Sequence, residues 1–193
     1  KHILSQVVFK AKTQYANMRV DIRDIKIHNI RFSGVFTLPA AADGTGSWSS
    51  PDLTFPHAFT VVKDKSITVE GNTTATDIST SSPMLNIPQE LTAWTVSGAS
   101  KTKKGADDAK QCYLEISCKI QQSGVYLLGS ASEYKIIYVP FGVIWEPGKR
   151  HIYTLIFGGG YTDQGKAVLN PIQFDAETTG WVDADNKDVN VKP

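Results

Sequence analysis

One short stretch indicates the fold more clearly than any other: residues 112–120 have the sequence CYLEISCKI. Apolar residues occupy every second position, with Tyr113, Glu115, Ser117 and Lys119 between them. A period of two is typical of a strand with one buried face. We predict that Cys112 and Cys118 face the core as free thiols, because six residues of strand separate them by about 20 Å and a disulfide spans less than ~7 Å.

The composition extends this prediction to the whole chain. Val, Ile and Thr together make up 48 of 193 residues, whereas Leu contributes 10. β-Branched residues fit a pleated sheet better than a helix, so we predict an all-β protein. The formal net charge of +1 argues against a nucleic-acid partner, and the apolar stretches are far shorter than the ~20 residues of a membrane-spanning helix.

Two N-terminal segments alternate in the same way. Residues 3–12 do so from almost the first residue, and we expect that something upstream has been removed. Residues 19–36 change the parity of their apolar positions near Arg23–Asp24 and again near His28–Asn29. Because a shift of one residue turns the apolar set to the other face, we predict a long strand with bends or bulges, or two strands with a tight corner.

Turn residues predict two hairpins. The first joins residues 55–62 to 66–70 through Lys63-Asp64-Lys65. The second joins residues 134–145 to 151–157 through Glu146-Pro147-Gly148-Lys149, in which Pro and Gly occupy the type II turn positions. Polar residues predict a loop over 97–110 and a linker over 71–83.

No arrangement of reactive residues predicts catalysis. Residues 160–167 (GYTDQGKA) have the spacing of a phosphate-binding loop, but Ala167 replaces the Ser or Thr that would hold magnesium, so we predict a strand-to-strand loop. Residues 183–188 lack the acceptor and the glycine of a calcium loop. None of the histidines has a ligand partner at metal-site spacing: His2, His28, His57 and His151. We expect no enzyme activity, cofactor or metal.

An exposed tryptophan leaves a binding function open. Trp48 lies in a segment rich in Gly and Ser, whereas the other three tryptophans adjoin apolar strands and are expected in the core: Trp94, Trp145 and Trp181. Aromatic rings can stack on sugars. Trp48 is therefore a candidate glycan contact, and a surface glycan-binding β-sandwich is the alternative function.

Three segments resemble a known family. Residues 2–12 (HILSQVVFKAK), 84–89 (MLNIPQ) and 145–155 (WEPGKRHIYTL) resemble, in order, conserved strand motifs of the fimbrillin-like proteins of Bacteroidales, the type V pilus subunits, and Trp181 also fits. His151 stands where the family motif has Tyr.

The resemblance implies two transthyretin-like, Greek-key β-sandwich domains in tandem, over residues 1–82 and 83–193, the first incomplete at its N-terminus. It implies export as a lipoprotein to the cell surface or outer membrane, although this chain has no lipobox cysteine.

The implied function is that of a structural or accessory subunit of a surface pilus, or fimbria, supporting adhesion. Its partners would be other pilus subunits and a host or bacterial surface ligand. Such subunits assemble by strand exchange. The segment Asp188, Val189, Asn190 and Val191 alternates and is the candidate donor strand, with pairing inside its own chain as the alternative.

Overall fold

The protein is built almost entirely of β-strands. The structure, a computed structural model, describes residues 2–41, 44–49, 58–79, 82–169 and 173–181. Its strands are β1 Ser5–Thr13, β2 Met18–His28, β3 Val35–Thr37, β4 Ser47–Ser49, β5 Ala58–Val62, β6 Ile67–Glu70, β7 Thr76–Asp77, β8 Met84–Asn86, β9 Gln89–Leu91, β10 Tyr113–Gln122, β11 Val125–Leu128, β12 Lys135–Pro140, β13 Val143–Trp145, β14 Lys149–Phe157, β15 Gly159–Tyr161, β16 Ala167–Leu169 and β17 Gln173–Gly180. A 3-10 turn, Gly98–Ser100, and one helix, α1 Lys103–Asp108, lie between β9 and β10. The all-β prediction is confirmed.

Two large sheets form a sandwich. In the five-stranded sheet the order is β17-β14-β1-β7. β8 also pairs with β1, along the same edge as β7. In the eight-stranded sheet the order is β16-β15-β12-β10-β2-β5. β11 pairs with β10 along the same edge as β12, and β6 pairs with β2 along the same edge as β5. Two small two-stranded sheets, β9–β13 and β3–β4, complete the described structure.

The core lies between the two large sheets. From the five-stranded sheet it receives alternate residues of β1 and β14, and from the eight-stranded sheet those of β2, β10 and β12, including Phe9, Leu155, Ile25, Ile116 and Val139. Each of these side chains is at most 1% exposed. Burying side chains of this size contributes about 1.5–3 kcal/mol each.

The bend predicted in the second alternating segment is a β-bulge. Ile22 pairs with Cys118 and Asp24 pairs with Ser117, so Arg23 is the extra residue on β2. The bulge absorbs the change of parity, and Val20 and Ile25 therefore both face the core. The strand ends at His28, and the next residue, Asn29, has a φ of 63° in the left-handed region.

The two predicted hairpins are wrong in their pairing. β5 and β6 both pair with β2, end to end, rather than with each other. The turn 146–149 does form, with Gly148 at a φ of 69°, but it leads from β13, which pairs with β9 in a small sheet, to β14 in the five-stranded sheet. Turn residues determine where the chain reverses, whereas the partner of each strand depends on distant residues.

The predicted polar loop over 97–110 contains the short helix α1. Thr102 caps it by accepting a hydrogen bond from the Gly105 amide, and the pairs Lys103–Asp107 and Lys104–Asp108 have the i,i+4 spacing that supports helices. Ala106, within the helix, is fully buried. The capping threonine and these charge pairs are the sequence features from which the helix could have been predicted.

The predicted division into domains 1–82 and 83–193 does not match the strand pairing. β1 lies beside β14 in parallel, and β2 lies beside β10, so both large sheets contain strands from both halves. The predicted linker also belongs to the sandwich, because β7 pairs with β1 and Ser79 accepts a hydrogen bond from the Phe9 amide. The paired strands lie far apart in the sequence, so the local composition gives no indication of their pairing.

Candidate functional site

The first and last described residues meet at one corner of the sandwich. The Gly148 amide donates to the Leu4 carbonyl at 2.9 Å, and the Trp181 amide donates to the Gly148 carbonyl at 3.2 Å. The ring of Trp181 stacks on that of His2 with 3.8 Å between centroids. Trp181 is thus half-buried at the surface rather than in the core as predicted, whereas Trp94 and Trp145 are buried as expected.

β17 forms an open edge of the five-stranded sheet. It pairs with β14 on one side and has no strand on its other side among the described residues. Ala176 lies opposite Tyr153, which is a core residue, and residues directly opposite each other in an antiparallel pair point to the same face. Ala176 therefore faces inward. Ala176 and its inward neighbour Thr178 are nevertheless exposed. Within the described part of the chain, the sandwich is therefore open at this edge.

A buried histidine supports the turn that begins β14. The Glu146 amide donates to Nε2 of His151 at 3.2 Å, and Nδ1 lies 3.4 Å from the Thr178 hydroxyl. Burial is the largest influence on His151 and lowers its pKa. The neutral ring of His151, which accepts a hydrogen bond from the backbone, therefore has a structural role. The family motif has Tyr at this position.

The other described histidines do not converge on a metal or catalytic centre. His28 lies beside Glu115, with 3.1 Å between Nε2 and the carboxylate, and His2 contacts Trp181. In the part of the chain that the structure describes, no three His, Cys, Asp or Glu side chains are placed to hold a metal ion. His57 and the calcium-like residues 183–188 lie outside it.

The two cysteines lie where the alternation placed them. Cys112 and Cys118 are both free, fully buried and part of the core between the sheets. Burial strongly raises the pKa of both thiols. The inward face predicted for residues 112–120 is confirmed.

The glycine-rich segment is a strand-to-strand loop, as predicted. β15 and β16 pair with each other, and the chain turns between them at Gly165, whose φ is 68°. The Thr162 amide donates to the Lys166 carbonyl, closing the turn. The strand β16 follows it, in place of the helix that would direct amides at a phosphate.

Trp48 lies on β4, and its ring is held in a fixed position. The indole N–H donates to the Ile3 carbonyl at 2.7 Å, and the ring packs against Phe36 with 5.2 Å between centroids. A side chain on Gly34 would meet the ring, since a Cβ there would lie 3.2 Å from Trp48 Cε3. Trp48 is half-buried.

A cavity of about 400 Å³ opens beside Trp48. Its walls come from β4, from the segment after β2 and from the β8–β9 region: Arg31, Trp48, Ile87, Pro88, Gln89, Glu90 and Thr92. The Arg31 amide donates to the Gln89 side-chain oxygen, and the Gln89 side-chain N–H₂ donates to the Arg31 carbonyl, both at 3.0 Å. Only Trp48 of this set was found from sequence, because the others are scattered and ordinary in type.

The candidate donor strand cannot be compared with this geometry. Asp188, Val189, Asn190 and Val191 lie outside the described residues.

Neither α1 nor the 3-10 turn, the helical segments of the described chain, has the length to cross a bilayer.

Comparison with known proteins agrees with the resemblance seen in the sequence. A family model described as fimbrillin-like matches residues 1–181. A search of curated proteins found no match.

Two solved structures are similar to the chain. One is a candidate cell adhesion protein from Parabacteroides distasonis, with a TM-score of 0.50 and 11% identity over 93% of this chain and 52% of that one. The other is a fimbrial protein from Bacteroides vulgatus, with a TM-score of 0.44 and 13% identity over 94% and 55%. The chain thus spans about half the length of each.

Proposed function

The chain belongs to the fimbrillin-like family, and from that membership we propose that it is a structural or accessory subunit of a bacterial surface pilus. Its role is non-enzymatic and needs no cofactor. Its partners are other pilus subunits, to which it joins by exchange of a β-strand, and it works at the cell surface, where it supports adhesion. The fimbrial protein and the adhesion protein to which it is similar support the same role.

The observation that carries the exchange mechanism is the open edge at β17. A strand edge presents unpaired N–H and C=O groups that another strand can satisfy. β17 has eight residues, whereas β11, another edge strand, has four. The exposed inward positions Ala176 and Thr178 leave room for the side chains of an added strand to reach the core.

The donor we propose is the segment Asp188–Val191 of a neighbouring subunit. Two valines contribute at most about 3–6 kcal/mol when fully buried, so backbone hydrogen bonds must supply much of the rest. The same segment could instead pair within its own chain, which would leave the edge closed to other subunits.

The first test blocks the acceptor edge. A lysine at Ala176 would place a charge on the inward face of β17, and we expect at least a five-fold slower rise of light scattering during assembly. Thr179→Lys is the matched control, because Thr179 lies opposite Arg150 on the outward face of the same strand. Assembly of Ala176→Lys at the wild-type rate would remove β17 as the acceptor.

The second test addresses the donor. Deletion of residues 188–193 should abolish assembly while leaving the circular dichroism spectrum of the monomer unchanged. Unchanged polymerisation would remove this segment as the donor but would leave β17 as an acceptor for another strand.

A further inference from the structure

We propose that the cavity beside Trp48 is a carbohydrate-binding site that takes a neutral hexose unit of a glycan. The site is separate from the β17 edge and does not depend on whether the subunit polymerises. It would give the subunit a ligand of its own at the cell surface.

The size and lining of the cavity suit one sugar ring. Its volume of about 400 Å³ lies within the usual range of ligand sites, ~300–1,000 Å³. A hexose has an apolar C–H face and a rim of hydroxyl groups, so its site needs an aromatic surface beside several polar side chains. Trp48 supplies the first, and Arg31, Glu90 and Thr92 supply the second.

Trp48 is held in place before any ligand arrives. Its hydrogen bond to Ile3 fixes the indole edge, and Phe36 and Gly34 pack against the ring. A fixed ring loses little conformational freedom on binding, which favours even a small ligand.

Arg31 is anchored in a similar way. The two hydrogen bonds with the Gln89 side chain hold the Arg31 backbone. The guanidinium group takes no part in these two bonds. Glu90 and Thr92 occupy alternate positions at β9 and the residue after it, so their side chains lie on one face.

The charges of the cavity favour a neutral ligand. Arg31 and Glu90 both line it, yet among the described residues no ion pair joins them or involves either one. The guanidinium group offers only donors and the carboxylate only acceptors, and a hydroxyl group can serve both. A sugar acid would be attracted by Arg31 but repelled by Glu90, and an amino sugar with a free ammonium group would meet the reverse, so the two charges offset each other while an ionised ligand still loses its hydration on binding.

The experiment is an NMR titration of the ¹⁵N-labelled chain with the methyl glycosides of glucose, galactose, mannose and N-acetylglucosamine. The indole N–H signal of Trp48 is assigned from its loss in Trp48→Phe. We expect at least one neutral glycoside to shift this signal in a saturable way, and methyl glucuronide to bind at least about 10-fold more weakly.

Variants test the polar contacts. Glu90→Gln and Arg31→Met should each weaken binding about 10-fold or more, the loss expected for a hydrogen bond to a charged group. Glu177→Gln is the control, because Glu177 is an exposed carboxylate on β17, remote from the cavity lining. Circular dichroism melts confirm that each variant is folded.

Three results would overturn the proposal: no saturable shift with any neutral glycoside, wild-type affinity in both cavity variants, or tighter binding of the glucuronide. Light scattering of Glu90→Gln during assembly keeps the two proposals apart. We expect assembly at the wild-type rate, whether or not the variant binds sugar.

Discussion

Glu115 shows how the fold changes the chemistry of a single residue. It lies on the face of β10 away from the core, with His28 and Lys26 each 3.1 Å from its carboxylate oxygens. The contact with His28 is the largest influence, and with the contribution of Lys26 it lowers the pKa of Glu115 from 4.5 to about 2. Its side chain is 15% exposed, so solvent screens these contacts only in part.

This lowered pKa predicts how stability depends on pH. The stabilising contribution of Glu115 is fully present above its ordinary pKa of 4.5 and is lost as the pH falls from 4.5 to about 2. Glu115→Gln should lower the free energy of unfolding at pH 7 by about 1–3 kcal/mol and should lose less stability on acidification. Urea unfolding at pH 7 and pH 3 measures both effects.

Glu133→Gln is the matched control for that experiment. Glu133 pairs with Lys135, but its side chain is 59% exposed, so its removal should cost less than about 1 kcal/mol. Equal loss of stability in the two variants, or the same pH dependence in Glu115→Gln and the wild type, would contradict the assignment.

Deletion of its extra residue tests the bulge in β2. Without Arg23, the apolar residues on either side of the bulge, Ile22 and Ile25, stand two positions apart, so both halves of the strand keep their apolar residues on the face toward the core. We expect the deletion variant to remain folded, with a β-sheet circular dichroism spectrum, because the bulge accommodates one residue more than the alternation needs.

Arg23→Ala separates the backbone from the side chain. The Arg23 side chain, 47% exposed, forms an ion pair with Asp24 and lies over the ring of Tyr134. Because solvent screens these contacts, the free energy of unfolding of Arg23→Ala should stay close to that of the wild type while the bulge remains. An unfolded deletion variant beside a folded Arg23→Ala variant would show that the extra backbone residue is itself required.

At the scale of the whole molecule, the two halves of the chain depend on each other. β1 is the neighbour of β14, and β2 is the neighbour of β10, so neither 1–82 nor 83–193 contains either of the two large sheets complete. We predict a single calorimetric unfolding transition for the chain, and little dispersion in the NMR spectrum of either fragment alone. Two separate transitions, or a folded fragment 83–193, would support two independent domains instead.

The strands themselves were largely predictable, because the signal for a strand is local. Side chains alternate across a sheet whatever its neighbours are, so the inward faces of β1, β2 and β10 could be predicted from the parity of their apolar residues. Even the bulge at Arg23 left a mark in the sequence. Ile3 was an exception: it continues the alternation but is 41% exposed, because it precedes the paired part of β1.

The candidate binding site was predictable only in part. Trp48 stood out as an aromatic residue in a polar segment, and its glycan contact stays a prediction. Arg31, Glu90 and Thr92 carried no signal, because their common wall is created by the approach of β4, β9 and the segment after β2.

By itself, the sequence determined the class of the fold, the buried faces of β1, β2 and β10, the burial of both cysteines and the family. Only the tertiary structure decided which strands are neighbours. The chain turns at Gly148 as predicted, but the strand that follows, β14, pairs with β1 and β17 instead of forming a hairpin with the strand before the turn. The physical reason is that alternation and turn residues act over a few residues, whereas a strand edge can pair with any strand that buries the same core, so partners depend on packing across the whole chain.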